Sequence, residues 1–229
     1  VLAVRDGSDP SAGRDLSVRA ARISVERIED DTRAAHNYRQ ALELGGDDDT
    51  VLEALDQIYS RSAQWNELGD ILERRVLLSS PDRLDALEVR LAELRMTRFA
   101  DARGAVSALQ NVVEREPAHA RAIELLEKLL DDPTVRDDAM EVLEQTFRRS
   151  DNATRQAWLL GLKVDAANSD ADRVQILGDL ARLREERMSD LSGALDAVTL
   201  AFALDPRDEG LLGELERLAP AANAWPSLR

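Results

Sequence analysis

The chain has 229 residues, enough for one large domain or two small ones, and its 44% hydrophobic content includes only 3% aromatics, which suits close-packed helices better than sheets rich in Val, Thr and Tyr. A formal net charge of -15 repels phosphate backbones and anionic lipid headgroups, which sets aside nucleic acid and membrane insertion. Cysteine is absent, so neither a disulfide framework nor a thiolate metal site is available, and no apolar run reaches the roughly 18 to 20 residues of a membrane span. VLAVRDGSD at the start lacks the basic residues and long apolar core of a signal peptide, and these features are compatible with a cytoplasmic location.

In chain order, DGSDPSAG is rich in Gly, Ser, Pro and Asp, so residues 1–15 are expected to be a loop ending a preceding repeat. From residue 16 the apolar spacing becomes helical, as at Leu84, Leu87, Leu91 and Leu94, which fall at i, i+3, i+7 and i+10 on one helix face. Breaks at GGDDD, SSPD, EPAH, DDPT, RSDN, NSDAD and DPRDE bring Pro, Gly and capping Asp or Ser between stripes. They delimit about twelve helices, at 16–29, 31–44, 49–61, 64–78, 82–98, 101–115, 119–131, 134–149, 153–168, 171–187, 190–204 and 208–219. The connections are short, so successive helices pack antiparallel. The expected fold is all-α, with no sheet.

The chain also repeats itself. Residues 52–76 lie over 140–164 without a gap, matching Leu52 to Met140, Leu55 to Leu143, Tyr59 to Phe147, Arg61 to Arg149 and Val76 to Val164. Residues 91–117 lie over 180–206 in the same way, matching Leu91 to Leu180, Asp101 to Asp190, Ala105 to Ala194 and Pro117 to Pro206, and residues 20–46 form a weaker first copy with Asp30, Ala34 and Ala41. One set of blocks is spaced 71 and then 89 residues apart (30, 101, 190), the other 88 and then 72 (52, 140, 212). Both spacings fit if a helix at 120–136 is inserted in the middle of the array. A third copy of the second block starts at Leu212, with Trp225 and Leu228 in the places of Trp65 and Leu68, so the chain reads as a window of a longer array. Residues 16–229 are expected to form one solenoid, with blocks at about 16–80, 82–168 and a truncated 171–229.

With Ala105, Leu109, Val112 and Pro117 at relative positions 20, 24, 27 and 32, repeated by Ala194, Val198, Ala201 and Pro206 and begun by Ala34, Tyr38 and Ala41, the blocks resemble the tetratricopeptide repeat (TPR). The family's Trp at position 4 and Gly at position 8 are Val89 and Glu93 in the best copy. The W-x-E-L and L-D-P signatures are similar to those of the long tandem arrays in large bacterial TPR proteins. The resemblance implies an α-solenoid, a right-handed superhelix of antiparallel hairpins with an extended groove that holds other proteins. Family members that clamp chaperone C-termini carry Asn at the ninth position of the first helix, where this chain has Ile23, Gln57, Leu94 or Leu183, so that activity is not implied.

No cofactor or metal site is expected. His36 and His119, the only histidines, sit in no ligand spacing, and GGDDDT lacks the D-x-D-x-D-G pattern of a calcium loop, which makes it a turn capping the next helix. DGSDPSAG has no GK[ST], and no nucleophile has a base partner by spacing. The chain is therefore expected to be no enzyme but a protein-interaction scaffold, the alternatives being a regulatory or sensor domain of a larger enzyme or signalling protein and a self-associating structural spacer. One polar recurrence stands out. Arg27, Arg98 and Arg187 share a slot near the end of one helix type, and Arg61 and Arg149 share the matching slot of the other. Such cations favour a helix C-terminus; alternatively they line a groove as guanidinium forks. The groove set expected on the latter reading is Arg19, Arg27, Glu53, Gln57, Arg61, Arg90, Thr97 and Arg98, richer in guanidinium than carboxylate and suited to an acidic peptide or a terminal carboxylate.

Overall fold

The computed structural model describes residues 10–222. Among them are α1 (Pro10–Ile23), α2 (Asp31–Gly45), α3 (Asp49–Arg61), α4 (Trp65–Leu78), α5 (Pro81–Leu94), α6 (Ala102–Arg115), α7 (Ala120–Leu129), α8 (Arg136–Arg149), α9 (Ala153–Ala166), α10 (Asp170–Met188), α11 (Leu191–Leu204) and α12 (Glu209–Ala221), with no strand among the described residues. α1 and α5 run on into single wide π-type turns, Ser24–Ile28 and Arg95–Phe99. The all-α expectation and the helix positions therefore stand, with one correction at the start. Residues 10–15, expected as loop, open α1. Pro10 occupies the first helical position, where its fixed φ and missing N–H cost nothing, and the small Gly13 and Ser17 are buried, with the Ser17 hydroxyl donating to the Gly13 carbonyl at 3.0 Å. Trp225 and Leu228, which suggested a further copy, lie outside the described residues.

The helices form two compact units, one up to Val112 and the other from Val113, the division falling within α6. In the first, α1 packs on α2, α2 on α3, α3 on α4 and α4 on α5 around Leu52, Leu55, Tyr59 and Leu72. In the second, α7 packs on α8, and each later helix on the next as far as α12, with Leu177, Leu180, Val198 and Leu218 in the core. The segment 120–136 supplies α7, which buries Leu125, Leu126 and Leu129. Ala34, Ala105 and Ala194 are wholly buried, because only a side chain that small lets two helix backbones approach so closely.

The sequence repeat is also a repeat of hydrogen bonds. Glu29, Ala100 and Ser189 adopt left-handed backbone, and the Asp that follows each donates its N–H back to a carbonyl six residues earlier, at 3.0, 3.0 and 2.8 Å to Ser24, Arg95 and Arg184, closing the helix with its last carbonyls satisfied. The same Asp30, Asp101 and Asp190 then cap the next helix by accepting from the N–H groups of Arg33, Gly104 and Gly193. A Cβ on Gly104 or Gly193 would lie within 2.0 or 2.1 Å of that carboxylate, which would have to shift, whereas the cap of Asp30 already accommodates Arg33 at the same position. The other block turns through left-handed Ala63 and Asp151, with Gln64 and Asn152 N–H groups donating to the Tyr59 and Phe147 carbonyls at 3.0 Å each.

Candidate binding troughs

Two sets of three helices are built from equivalent sequence: α3, α4 and α5 in the first unit, and α8, α9 and α10 in the second. The offset is 88 residues for the first two helices and 89 for the third, the connection before α10 being one residue longer. In the first set, α3 presents Asp49, Glu53 and Asp56 on one face, at i, i+4 and i+7. Arg75 of α4 is 4% exposed and Asp56 is 2% exposed, and the two form a direct ion pair. From α5, Arg90 closes a fork on Asp56 with both nitrogens at 2.6 Å and touches the Ser60 hydroxyl at 2.7 Å. Two turns earlier, Arg83 lies 2.6 Å from Asp49 and 3.5 Å from Glu53. Three carboxylates face three guanidinium groups. Leu72, Leu87 and Leu94 beneath them are buried. The chain itself fills this trough.

In the second set, Lys163 stands where Arg75 stood and pairs with Glu144, the counterpart of Asp56. The pair is the same but open, with Glu144 25% and Lys163 28% exposed. Arg83 and Arg90 are replaced by Asp172 and Asp179, and the acids of the facing helix are kept as Asp137, Glu141 and Glu144. Attraction across the trough has become repulsion, and nothing reaches over from α10. Instead Glu144 takes a second cation from its own helix, Arg148, which replaces Ser60. Asp137, Glu141 and Asp172 have no cation partner among the described residues; Glu141 accepts from Gln145 at 3.3 Å and Asp172 from the Ser169 hydroxyl at 2.6 Å. The resulting depression comprises a cavity of about 330 Å³ over Leu159, Leu160, Ile176 and Leu183, and an adjoining one of about 630 Å³ between Asp137, Glu141, Asp172 and Gln175, with Glu144, Lys163 and Ile176 lining both. Leu160, Ile176 and Leu183, the counterparts of buried Leu72, Leu87 and Leu94, are part-exposed.

The expected groove residues fall into place unevenly. Glu53 and Arg90 belong to the filled trough. Gln57 and Thr97 are exposed, and the Thr97 hydroxyl donates to its own helix at the Glu93 carbonyl, 2.7 Å away. Arg61 forks onto Asp31, whose hydrogen bond holds the guanidinium above its ordinary pKa. Arg98 stacks over Trp65, 4.3 Å from the ring centre, a cation–π contact. Arg19 and Arg27 are exposed, with no ion pair among the described residues. Three of the five arginines in the recurring slot have a structural use that neither sequence reading foresaw, while Arg27 and Arg149 make no ion pair among the described residues. Arg61 ends α3 and grips Asp31 at the start of α2; Arg98 follows α5 and grips Trp65 at the start of α4; Arg187, at the end of α10, grips Asp151 just before α9. Each arginine ties its helix to the start of the preceding one. The contacts bridge 30 to 36 positions, too far for sequence inspection to pair them.

The three aspartates of GGDDDT are also employed internally. Asp47 pairs with Arg74, and Asp48 caps α3 by accepting from Thr50 and Val51 N–H groups at 3.0 and 3.1 Å while meeting Arg14 at 2.6 Å. Hydrogen bonds, from Arg74 to Asp47 and from Thr50 to Asp48, hold both carboxyls below the usual range. Arg14 lies so close over Gly45 that a Cβ there would stand 2.2 Å from its chain. His119 is the cap of α7, its Nδ1 accepting from Ala122 N–H at 3.2 Å. No group of three or more potential metal ligands occurs among the described residues, and no described helix is long and apolar enough to cross a membrane.

The repeated register, the buried alanines at the helix crossings and the paired antiparallel helices together decide the architecture. The hairpins are TPR-like. No protein-family model matches the sequence, and no curated protein matches it. Solved structures similar to this TPR-like chain include YrrB, described as a TPR protein with an unusual peptide-binding site, at 15% identity and a TM-score of 0.41 over 92% of this chain and 98% of that one. A TPR repeats protein from Bacteroides fragilis is similar at 11% identity and a TM-score of 0.46, covering 94% of this chain and 100% of that one. The TPR2AB domain of yeast Sti1, solved as a complex with pHSP90, is similar at 12% identity and a TM-score of 0.38, over 95% and 87% of the two chains.

Proposed function

We propose that this chain is a non-catalytic scaffold that holds a segment of a partner protein in the trough over α8, α9 and α10. The observation that carries the reading is the contrast between the repeats. The same three-helix unit closes on itself where arginines reach across from α5, and stays open where those arginines are missing. An open depression with an apolar floor of Leu159, Leu160 and Ile176 and a charged rim suits a peptide, whose side chains fill the floor while its polar groups meet the rim. An acidic segment, the partner suggested by the arginine count, has a narrower basis: Arg19 and Arg27 are the two arginines of that set without an ion pair among the described residues.

A photo-crosslinking residue in place of Gln175 tests the reading. Incubated with pools of basic, neutral and acidic synthetic peptides and then irradiated, the protein is expected to form adducts with at least one pool, and the same residue in place of the exposed Asp196, outside the trough, is not. Equal labelling at both positions, or none at 175, overturns the trough as the binding site.

A further inference from the structure

Resting on the trough as the binding site, the internal comparison goes further and names what the trough binds. The first set shows how these positions are satisfied: Asp49 and Glu53 share the Arg83 guanidinium, and Asp56 receives a fork from Arg90. The second set keeps the acceptors and lacks the donors. Five carboxylates, Asp137, Glu141, Glu144, Asp172 and Asp179, line it against two cations, Arg148 and Lys163, where the first set has three against three. Both cations are already committed to Glu144. Among the described residues Asp179 meets only Arg182 of its own helix, at 3.5 Å, in a pair that is more than half exposed.

We infer that the α8–α9–α10 trough binds a basic segment of a partner protein, one arginine of which enters the cavity among Asp137, Glu141 and Asp172 and so takes the place that Arg83 holds in the first set. A second cationic side chain then faces Asp179, the counterpart of Arg90. Arg83 and Arg90 are seven residues apart on a helix, about 10 Å, and a polyproline-II segment, rising about 3.1 Å per residue with three residues per turn, covers nearly that distance in three residues and returns the same face to the trough. The preferred ligand therefore carries arginines at i and i+3 in polyproline-II conformation, with small apolar residues between them. Arginine is favoured over lysine because a planar fork can serve two carboxylates at once. A basic ligand also fits the net charge of -15, which speeds its approach and makes binding weaken with salt.

The test uses fluorescence anisotropy with three labelled probes of one length: a peptide with arginines at i and i+3, the same peptide with lysines, and the same with glutamates. The arginine probe is expected to bind more tightly than the lysine probe, and the glutamate probe not at all. Asp172→Arg with Asp179→Arg rebuilds the donors of the first set and should weaken the arginine probe by about tenfold or more, with the melting temperature unchanged or raised. Asp196→Arg with Glu216→Arg makes the same change of net charge on exposed positions outside the trough and should preserve most of the affinity. If both double variants lose affinity equally, attraction is only to overall charge and the site is wrong. If the arginine probe binds no better than the glutamate probe, the basic class is wrong. In that case adducts at position 175 with neutral or acidic peptides would leave the trough itself standing, whereas their absence would remove both.

Discussion

The troughs over α3–α4–α5 and α8–α9–α10 share helix order, apolar register and an equivalent ion pair between their first two helices, Asp56 with Arg75 and Glu144 with Lys163. They differ at two positions of the third helix. Arg83 and Arg90 bring opposite charge to the facing acids; Asp172 and Asp179 bring like charge. The lesson is that apolar positions set how such hairpins stack, while a few long polar side chains decide whether the surface between them is filled or open. Burying a charge is tolerable only when its partners come with it, and the first set supplies all of them.

The comparison breaks most sharply at its centre. Asp56→Ala removes the nearest partner of the buried Arg75 guanidinium, leaving it Asp49 at 3.5 Å and Glu53 at 3.9 Å, and should cost about 3 kcal/mol, whereas Glu144→Ala, at a part-exposed pair, should cost about 1 kcal/mol or less. Hydrogen exchange resolved to each three-helix set measures both, and equal costs would mean that the sets are not differently buried. Next in size, Arg83→Asp with Arg90→Asp gives the first set the residues of the second. It should destabilise that set and raise exchange in α3 and α5, as denaturant melts and exchange together will report.

Acid offers a third contrast. Asp47 and Asp48 at the start of α3 have folded-state pKa values depressed by Arg74 and Thr50 respectively, so their stabilisation is complete above the ordinary carboxylate value near 4 and is lost as pH falls through the depressed values. α8 begins after Val135 without a side-chain cap. Between about pH 5 and pH 2, exchange at the first turn of α3 should therefore rise more steeply than at the first turn of α8. The smallest effects belong to the surface ties and to one hydroxyl. Arg61→Ala and Arg187→Ala each remove an exposed pair and should shift stability by about 0.5 kcal/mol. Tyr59→Phe removes a buried hydroxyl that has no hydrogen-bond partner among the described residues and copies Phe147, its counterpart. It should be neutral or stabilising by up to about 1 kcal/mol in a thermal melt.

Much of this was legible in the sequence, and the parts that were not share a cause. Helix boundaries followed from local chemistry: Asp30, Asp101 and Asp190 cap the helices that their spacing announced. Pro10 misled for the same local reason, since a proline that opens a helix and one that ends it look alike without the buried Gly13 and Ser17 behind it. The arginine slot was visible, but its partners Asp31, Trp65 and Asp151 sit one hairpin away. The open trough was missed because repeat alignment rewards matching apolar residues, and the decisive change, Arg83 to Asp172 and Arg90 to Asp179, falls on positions that such an alignment discounts.

The most direct measurement uses the absence of cysteine from the chain. Leu72 is wholly buried under the first trough, and its counterpart Leu160 lines the second. Single-cysteine proteins, Leu72→Cys and Leu160→Cys, are exposed to a small thiol reagent under native conditions. Leu160→Cys should label within about tenfold of the rate of a free thiol, and Leu72→Cys about a hundredfold or more slower, at the pace of local unfolding. Comparable rates at the two positions would contradict the claim that one trough is filled and the other open.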